Sequence, residues 1–331
     1  MVSLSHVQHS NSLISTNLPS RLVAVFVGAT SGIGAITLKS FTKYTLQPRI
    51  YIISRSQESA ESIISDCQAL NPSGEYNFIK SDVSLIQNVD RVCQQMKEKE
   101  KTINLLFLSQ GAAVFDRSKT PEELHLLAAL NYYTRICFIT ALLPLLYHSP
   151  HLRRVVSVGG GTQEGPIDAT DFPAFHVPLP ALKDHLSTLI TLGLEAVART
   201  APSVGFVHDY PGTVKTPLLD HMPEEQMRKL NFVPLEESGE RHCYLATSAR
   251  FPAKEGCADG VRLSEGDEVA VGVNGESGSG MYSVGKECES GGDEVRELLA
   301  RFREQGMVEK IWSHTQEEFK RIIESGEGTC E

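Results

Sequence analysis

Three glycines near the amino terminus have the spacing of a phosphate-binding turn. Gly28, Gly32 and Gly34 follow an apolar, largely β-branched run over residues 22–27, and an amphipathic segment continues to residue 41. Glycine allows a tight turn and lets the backbone approach a diphosphate without an intervening Cβ, while the first amides of a helix attract the anion. The segment therefore predicts a strand, a turn and a helix that bind a dinucleotide, rather than a turn without a ligand. The predicted contacts are Gly28, Thr30, Ser31, Gly32, Ile33 and Gly34.

Three more candidate cofactor residues follow predicted strands at the same edge of a sheet. Arg55 follows the apolar run over residues 49–54, a strand end that meets the adenosine ribose in dinucleotide folds. An acidic residue there accepts from the 2′-hydroxyl, whereas arginine suits a 2′-phosphate, so Arg55 favours NADP(H) over NAD(H). The alternative is an exposed arginine at a strand end. Asp82 is placed to accept from the adenine amino group, and Gly111 follows the fourth predicted strand.

The order of the patterns predicts an α/β fold with a Rossmann-type, doubly wound parallel sheet and a helical C-terminal extension. Apolar runs alternate with segments of helical periodicity, which is typical of right-handed βαβ crossovers. The predicted strands cover residues 22–27, 49–54, 76–80, 103–108, 153–158 and 204–209.

The chain divides into three predicted parts. Residues 1–20 are a loose tail or a covering strand, because they are polar and lack periodicity. Residues 21–285 form the dinucleotide-binding domain, which ends in a hairpin over residues 265–284. Residues 286–331 form an amphipathic helical extension that packs on its own domain or on a partner subunit.

Composition restricts the classes of partner. The 331 residues carry 31 Lys and Arg against 41 Asp and Glu, a net charge of −10, which argues against general affinity for nucleic acid or anionic membranes. The apolar segment over residues 136–147 is shorter than a bilayer requires, so we expect a cytoplasmic protein. The seven cysteines are scattered and predict reduced, packed thiols, and His148 and His151 in a proline-containing loop do not predict a metal site.

Several segments, in the same order along the chain, resemble the short-chain dehydrogenase/reductase family. VGATSGIG resembles the family's T-G-x-x-x-G-I-G, residues 108–111 its N-N-A-G segment, and Asp82 its aspartate after the third strand. A match to the long fourth helix places Asn131 on the catalytic asparagine. Residues 211–216 resemble the P-G-x-V-x-T segment that closes over the nicotinamide, which implies cofactor contacts from Pro211, Gly212 and Val214. Phrases such as PRIYIISRS and FVHDYPGTVKTP resemble a divergent fungal branch associated with secondary metabolism.

The chain departs from the family at the catalytic residues. The family uses a tyrosine acid, a lysine one helical turn later and a serine that orients the carbonyl. Ala181 and His185 stand at the tyrosine and lysine positions, and Gly160 at the serine position. The candidate replacements are Ser157 or Thr162 for the serine, and Tyr210, His185, Lys183 or Tyr282 for the proton relay; our predicted catalytic residues are Asn131, Ser157, Tyr210 and His185.

These observations predict an NADP(H)-dependent oxidoreductase that interconverts a ketone and an alcohol on a small, natural-product-like substrate, with an atypical proton relay. Two alternatives keep the same pocket. One is a non-redox isomerase, dehydratase or cyclase, which the missing tyrosine and lysine favour, and the other is a catalytically silent nucleotide-binding protein. The substrate is a small molecule, and homo-oligomerisation is left open.

Overall fold

The computed structural model describes residues 1–112, 116–220, 222–256 and 260–327. A seven-stranded parallel sheet has the order β3-β2-β1-β4-β5-β6-β9, and two short strands, β7 and β8, pair separately. This is the doubly wound order of a Rossmann fold with one further strand at the edge, as the alternation of apolar runs predicts. The strands are β1 (Val23–Val27), β2 (Arg49–Ser54), β3 (Glu75–Lys80), β4 (Leu105–Leu108), β5 (Arg154–Val158), β6 (Gly205–Asp209), β7 (Thr213–Val214), β8 (Phe232–Val233) and β9 (Met281–Val284).

The helices alternate with the strands and cover both faces of the sheet. They are α1 (Leu4–Ser12), α2 (Ile14–Asn17), α3 (Gly32–Tyr44), α4 (Gln57–Leu70), α5 (Ile86–Lys99), α6 (Leu126–Ala128), α7 (Thr134–Tyr147), α8 (Leu182–Thr200), α9 (Glu224–Met227), α10 (Leu235–Thr247), α11 (Asp293–Glu304) and α12 (Met307–Glu327). A π-helical turn, Ala129–Tyr133, joins α6 to α7 into one continuous helix.

The register of the sheet brings the carboxyl ends of its strands to one level. Val27 at the end of β1 pairs with Ile53 of β2 and Leu108 of β4. Leu108 pairs with Ser157, and the following residue of β5, Val158, pairs with Asp209. Residues that follow these strands therefore meet along a single edge. Because β2 and β4 lie on opposite sides of β1, the edge contains the topological switch point where ligands of such sheets bind.

The core consists of two layers, one on each face of the sheet. Alternate residues of β1 divide between them, since successive strand side chains point to opposite faces. Val23, Val25 and Val27 pack with α5, α7, α8 and the C-terminal helices, whereas Ala24 and Phe26 pack with α1, α3, α4 and α10.

The continuous helix Leu126–Tyr147 is long and apolar enough to span a membrane by length and composition alone. Two thirds of its most apolar window is buried inside the protein, so it serves as a core helix here. The apolar segment over residues 136–147, which we expected to be too short for a bilayer, is the C-terminal part of this longer helix.

Two expectations about the fold are wrong. The first twenty residues are neither a loose tail nor a covering strand, since they form α1 and α2, and Val7 and Ile14 are buried against the α10 side of the core. The expected hairpin over residues 265–284 is also absent, because β9 pairs in parallel with β6 and only an isolated antiparallel bridge joins Val271 and Ser277. Five cysteines, Cys67, Cys93, Cys137, Cys243 and Cys288, are buried free thiols, and Cys257 and Cys330 lie outside the described residues.

The C-terminal extension is helical, as predicted, and it packs on its own domain. α12 lies against α5 and α8, and its buried Thr315 accepts a hydrogen bond at 2.6 Å from the Tyr132 hydroxyl. Tyr132 is the donor, because the single proton of Thr315 goes to the carbonyl of Ile311. Tyr133 Oη lies 2.7 Å from Nε2 of His314, the residue directly before Thr315 on α12. Two adjacent tyrosines therefore fix α12 to the helix of the candidate site.

Replacing Thr315 with valine tests this attachment. The Thr315→Val variant leaves the fully buried Tyr132 hydroxyl without its acceptor, which costs about 1–3 kcal/mol of unfolding free energy. Urea denaturation is the measurement, with Ser313→Ala as the control on the exposed face of the same helix. A Thr315→Val midpoint that equals the wild-type value would show that the contact does not hold α12 in place.

Candidate functional site

A groove of about 410 Å³ runs along the carboxyl edge of the sheet, at the switch point between β1 and β4. Its lining comes from the segments that follow β1, β2, β3, β4, β5 and β6, together with the π-helical turn. The predicted residues that line it are Gly28, Thr30, Ser31, Gly32, Ile33, Gly34, Arg55, Asp82, Gly111, Asn131 and Pro211.

The glycine turn is shaped by two close approaches of backbone to backbone. Gly28 has a φ of +78°, and a Cβ at this position would lie 2.6 Å from the Gln110 nitrogen and 2.7 Å from its Cα. A Cβ on Gly34 would lie 2.8 Å from both Ala29 Cα and the Gly28 carbonyl oxygen. The turn after β1 therefore packs directly on the turn after β4, which only glycine permits.

The turn also leaves hydrogen-bond donors facing the groove. Ser31 is the N-cap of α3, and its side chain makes no capping hydrogen bond. The first amides of a helix have no intrahelical acceptor, and the helix dipole adds positive potential there. This arrangement fits the diphosphate of a dinucleotide, which takes amide donors and needs a surface free of side chains.

Arg55 and Asp82 line one end of the groove. Arg55 is exposed, and no described carboxylate forms an ion pair with it. Asp82 Oδ1 accepts hydrogen bonds from the amide and the hydroxyl of Ser84, so the carboxylate is held in one orientation. This end of the groove offers a guanidinium to an anion and a fixed carboxylate to a base amine.

The far end of the groove, away from Arg55, is lined by Asn131, Arg135, Gly159 and Pro211. Asn131 lies in the π-helical turn, a local widening that is frequent at functional sites. Its amide nitrogen donates to the Leu127 carbonyl at 2.9 Å, and its oxygen accepts from Arg135 at 3.4 Å. The side chain is therefore held in place from both sides.

Arg135 is a site residue that the sequence analysis missed. Its guanidinium is only 2% exposed and lies beneath the far end of the groove. The signal in the sequence is a single charge in the apolar segment TRICFITALLPLLY, four residues after Asn131. Burial lowers the pKa of Arg135 to about 10, so the side chain stays cationic at neutral pH.

Of the four predicted catalytic residues, only Asn131 lines the groove, and Ser157, His185 and Tyr210 do not. Ser157 is fully buried and its hydroxyl accepts from Arg135 at 2.8 Å. His185 is 1% exposed, and its ring is used by the loop after β5, since Nδ1 accepts from the Asp168 amide and Nε2 donates to the Phe172 carbonyl. Both residues have structural partners, so they are not retained as catalytic candidates.

The other candidate residues for the proton relay differ in whether they are buried. Tyr282 is fully buried, and its hydroxyl donates to the Pro252 carbonyl at 2.7 Å. Thr162 is attached to β9, because its backbone amide donates to the Ser283 hydroxyl. Tyr210, in contrast, is half-buried directly before Pro211, and Lys183 Nζ lies 5.0 Å from the centre of its ring. A tyrosine that follows β6 and a lysine on α8 are thus in contact directly before Pro211, although neither of them lines the groove.

Gly160 leaves room for a hydroxyl from another element. A Cβ at Gly160 would lie 2.0 Å from the Ser187 hydroxyl oxygen. Ser187 of α8 therefore occupies the space that a serine after β5 would use. Gly212, before β7, and Val214, within β7, do not line the groove, whereas Thr216, Pro217 and Leu218 after β7 do.

A buried polar network fixes the backbone after β5. The Gly160 amide donates to His208 Nε2 at 3.0 Å, and Thr191 donates to Glu164 at 2.7 Å. His208 must then donate from Nδ1 to Thr191, 2.8 Å away, so the ring is neutral. Burial and the charge of Arg135 lower the pKa of His208 to about 3, in agreement with this tautomer.

Comparison with known proteins identifies the family. A family model described as short chain dehydrogenase matches residues 22–165. The chain is 41% identical to an oxidoreductase of Emericella nidulans over 96% of this chain and 97% of that protein. It is 29% identical to a short-chain dehydrogenase/reductase of Stachybotrys chartarum over 89% of this chain and 91% of that protein.

Solved structures agree in fold. The Pseudomonas aeruginosa RhlG/NADP active-site complex superposes with a TM-score of 0.56 at 18% identity, over 75% of this chain and 96% of that chain. The chain belongs to the short-chain dehydrogenase/reductase family, a family of oxidoreductases.

The glycine turn can be tested with two alanine variants of the same groove. Gly28→Ala forces a Cβ against the Gln110 backbone at a positive φ, so we expect a loss of about 2 kcal/mol or more of unfolding free energy. Gly111→Ala is the matched control, because a Cβ there has no neighbour within 4 Å. Equal denaturation midpoints for the two variants would contradict the close approach of the two turns.

Proposed function

We propose that the chain is an NADP(H)-dependent oxidoreductase that interconverts a ketone and an alcohol on a small, apolar natural product, with a proton relay unlike the usual one of its family. The observation that carries the proposal is the groove, in which a glycine turn and the first amides of α3 lie between Arg55 and the far end. Fungal relatives named as oxidoreductases support the reaction class.

The preference for NADP(H) rests on Arg55. A dinucleotide with its diphosphate on the glycine turn directs its adenosine ribose to the end of β2. A guanidinium there binds a 2′-phosphate through charge-assisted hydrogen bonds, whereas a 2′-hydroxyl is usually bound by an acidic residue. NADP in the complex of the similarly folded RhlG supports the same assignment.

The opposite end of the bound dinucleotide then lies at the far end of the groove, with the substrate beside it. Apolar side chains line this region, among them Leu130, Val158, Pro217 and Leu218. Such a lining favours a substrate with a hydrocarbon framework, since its apolar surface leaves water on binding. Pro217 and Leu218 belong to the loop after β7, so this loop would determine the substrate's shape.

Tyr210 is the proposed proton donor. A bound nicotinamide supplies or accepts a hydride. When a carbonyl is reduced, its carbon gains the hydride and its oxygen needs a proton, which the Tyr210 hydroxyl would donate. Lys183 holds the Tyr210 ring through a cation–π contact, and Asn131 fixes the π-helical turn at the same end.

The non-redox alternative follows from Ala181 and His185, which stand where the family has tyrosine and lysine. An isomerase, dehydratase or cyclase would bind NADPH and form product without oxidising it. A catalytically silent protein would bind NADPH and form no product. The absorbance of NADPH is followed during incubation with a panel of carbonyl compounds. A fall in absorbance shows that the cofactor is oxidised, which neither alternative predicts.

Arg55→Glu tests the cofactor preference. We expect the affinity for NADPH to fall about tenfold or more, because a charge-assisted contact to the 2′-phosphate is replaced by repulsion. NADH affinity should change much less. Fluorescence titration with both cofactors is the measurement, and Arg301→Glu on exposed α11 makes the same charge change outside the groove. Equal losses for NADPH and NADH would rule out a contact with the 2′-phosphate.

Tyr210→Phe tests the proton donor. Loss of a general acid typically lowers kcat by about a hundredfold or more, while NADPH binding should stay within about twofold of wild type. The control is Tyr147→Phe, which removes an exposed hydroxyl bonded to the Thr200 carbonyl. The measurement is steady-state kinetics with a carbonyl compound that the wild-type protein reduces. An unchanged kcat would show that Tyr210 is not the proton donor.

A further inference from the structure

Arg135 is a cation built into the floor of the groove. Its side chain comes from α7 and reaches beneath the carboxyl ends of β4 and β5, where it lines the far end and is 2% exposed. The five N–H groups of a guanidinium meet five acceptors here. These are the carbonyls of Leu130, Gln110 and Val158, the Ser157 hydroxyl and the Asn131 amide oxygen.

All five acceptors are neutral. Among the described residues no carboxylate forms an ion pair with Arg135, and the carboxylate that acts on it electrostatically, Asp209, is bound to His242 at 2.9 Å. Burial lowers the pKa of His242, but Asp209 and the Ser238 carbonyl together offset this and raise it. The Nδ1 proton goes to the Ser238 carbonyl, so a second proton lies between Nε2 and Asp209 and the His242–Asp209 pair carries no net charge. The positive charge of Arg135 is therefore not cancelled by a contacting anion.

We propose that Arg135 acts as a fixed positive charge that makes the protein bind the reduced, neutral nicotinamide more tightly than the oxidised, cationic one. This inference rests on the proposed function, since it requires NADP(H) with its nicotinamide at the far end. Arg135 is a positioning residue. Its donors are occupied by protein, so it acts on the cofactor through its field and through Asn131 rather than by a new hydrogen bond.

The preference for the neutral nicotinamide arises because the surroundings of Arg135 screen its charge weakly. The charge of Arg135 is rigidly held, and water is excluded from it, so its interaction with a second cation is screened far less than at the surface. The nicotinamide ring is cationic only when oxidised. The same field stabilises negative charge that develops on a carbonyl oxygen in the transition state of hydride transfer, which lowers the barrier in both directions.

The experiment compares the Kd values for NADPH and NADP⁺ by calorimetry in wild type, Arg135→Met and Arg135→Lys. Wild type should bind NADPH at least tenfold more tightly than NADP⁺, which corresponds to about 1.4 kcal/mol. Arg135→Met, which has a similar length and no charge, should bring the ratio close to one. Arg135→Lys keeps the charge and should keep most of the preference. Arg301→Met controls for the loss of an arginine elsewhere.

Each outcome decides a separate question. Wild type that binds neither form contradicts the proposed function itself. Wild type that binds both forms equally, or Arg135→Met with the wild-type ratio, overturns the role of Arg135 while leaving the cofactor assignment intact. If circular dichroism shows that Arg135→Met is unfolded, the wild-type ratio and the Arg135→Lys ratio decide, and loss of the preference in Arg135→Lys overturns the inference.

Discussion

The site depends on one constraint, the direct contact between the turn after β1 and the turn after β4. The parallel register ends both strands at the same level, so Gly28 lies against the backbone of Gln110 with no space for a Cβ. This contact forms the base of the groove and directs the first amides of α3 towards it. Arg55, Gly159 and Pro211 follow strands whose ends are set by the same register, whereas Asn131 and Arg135 come from the helix over residues 126–147.

The polar groups beneath the far end of the groove are held by one another. Gly160 leaves space that Ser187 fills, His208 is neutral and accepts from the Gly160 amide, and Ser157 accepts from Arg135. The guanidinium of Arg135 and the Gly160 amide both have acceptors in this set, as the high cost of an unpaired polar group requires. A buried cation, Arg135, lies on α7, and Lys183 of α8 lies over the ring of Tyr210.

Local patterns predicted much of the fold. The β-branched runs and the glycine turn specify strand, turn and helix within about twenty residues, so β1, β2 and α3 and the residues that follow them were accessible from sequence. α1 was missed because its polar sequence has weak periodicity and is stabilised by packing on α10, more than two hundred residues away. β9 was taken for half of a hairpin because its true partner, β6, lies some seventy residues earlier in the chain.

The residues that line the groove were accessible from the sequence to different degrees. Arg55 and Asp82 follow strand ends, so the strand pattern located them, and Asn131 followed from the match to the family's long fourth helix. The partners of Ser157 and His185 come from distant segments, and a sequence cannot show that their polar atoms are already occupied. Arg135 was visible as a lone charge in an apolar helix, but its acceptors lie on β4 and β5 and only the fold brings them together.

The most direct test of the central claim is calorimetric titration of the folded wild-type protein with NADPH and with NADH. The account requires saturable binding of NADPH at one site per chain, because backbone amides at the start of α3 hold the diphosphate. An absence of saturable binding with both nucleotides would contradict it.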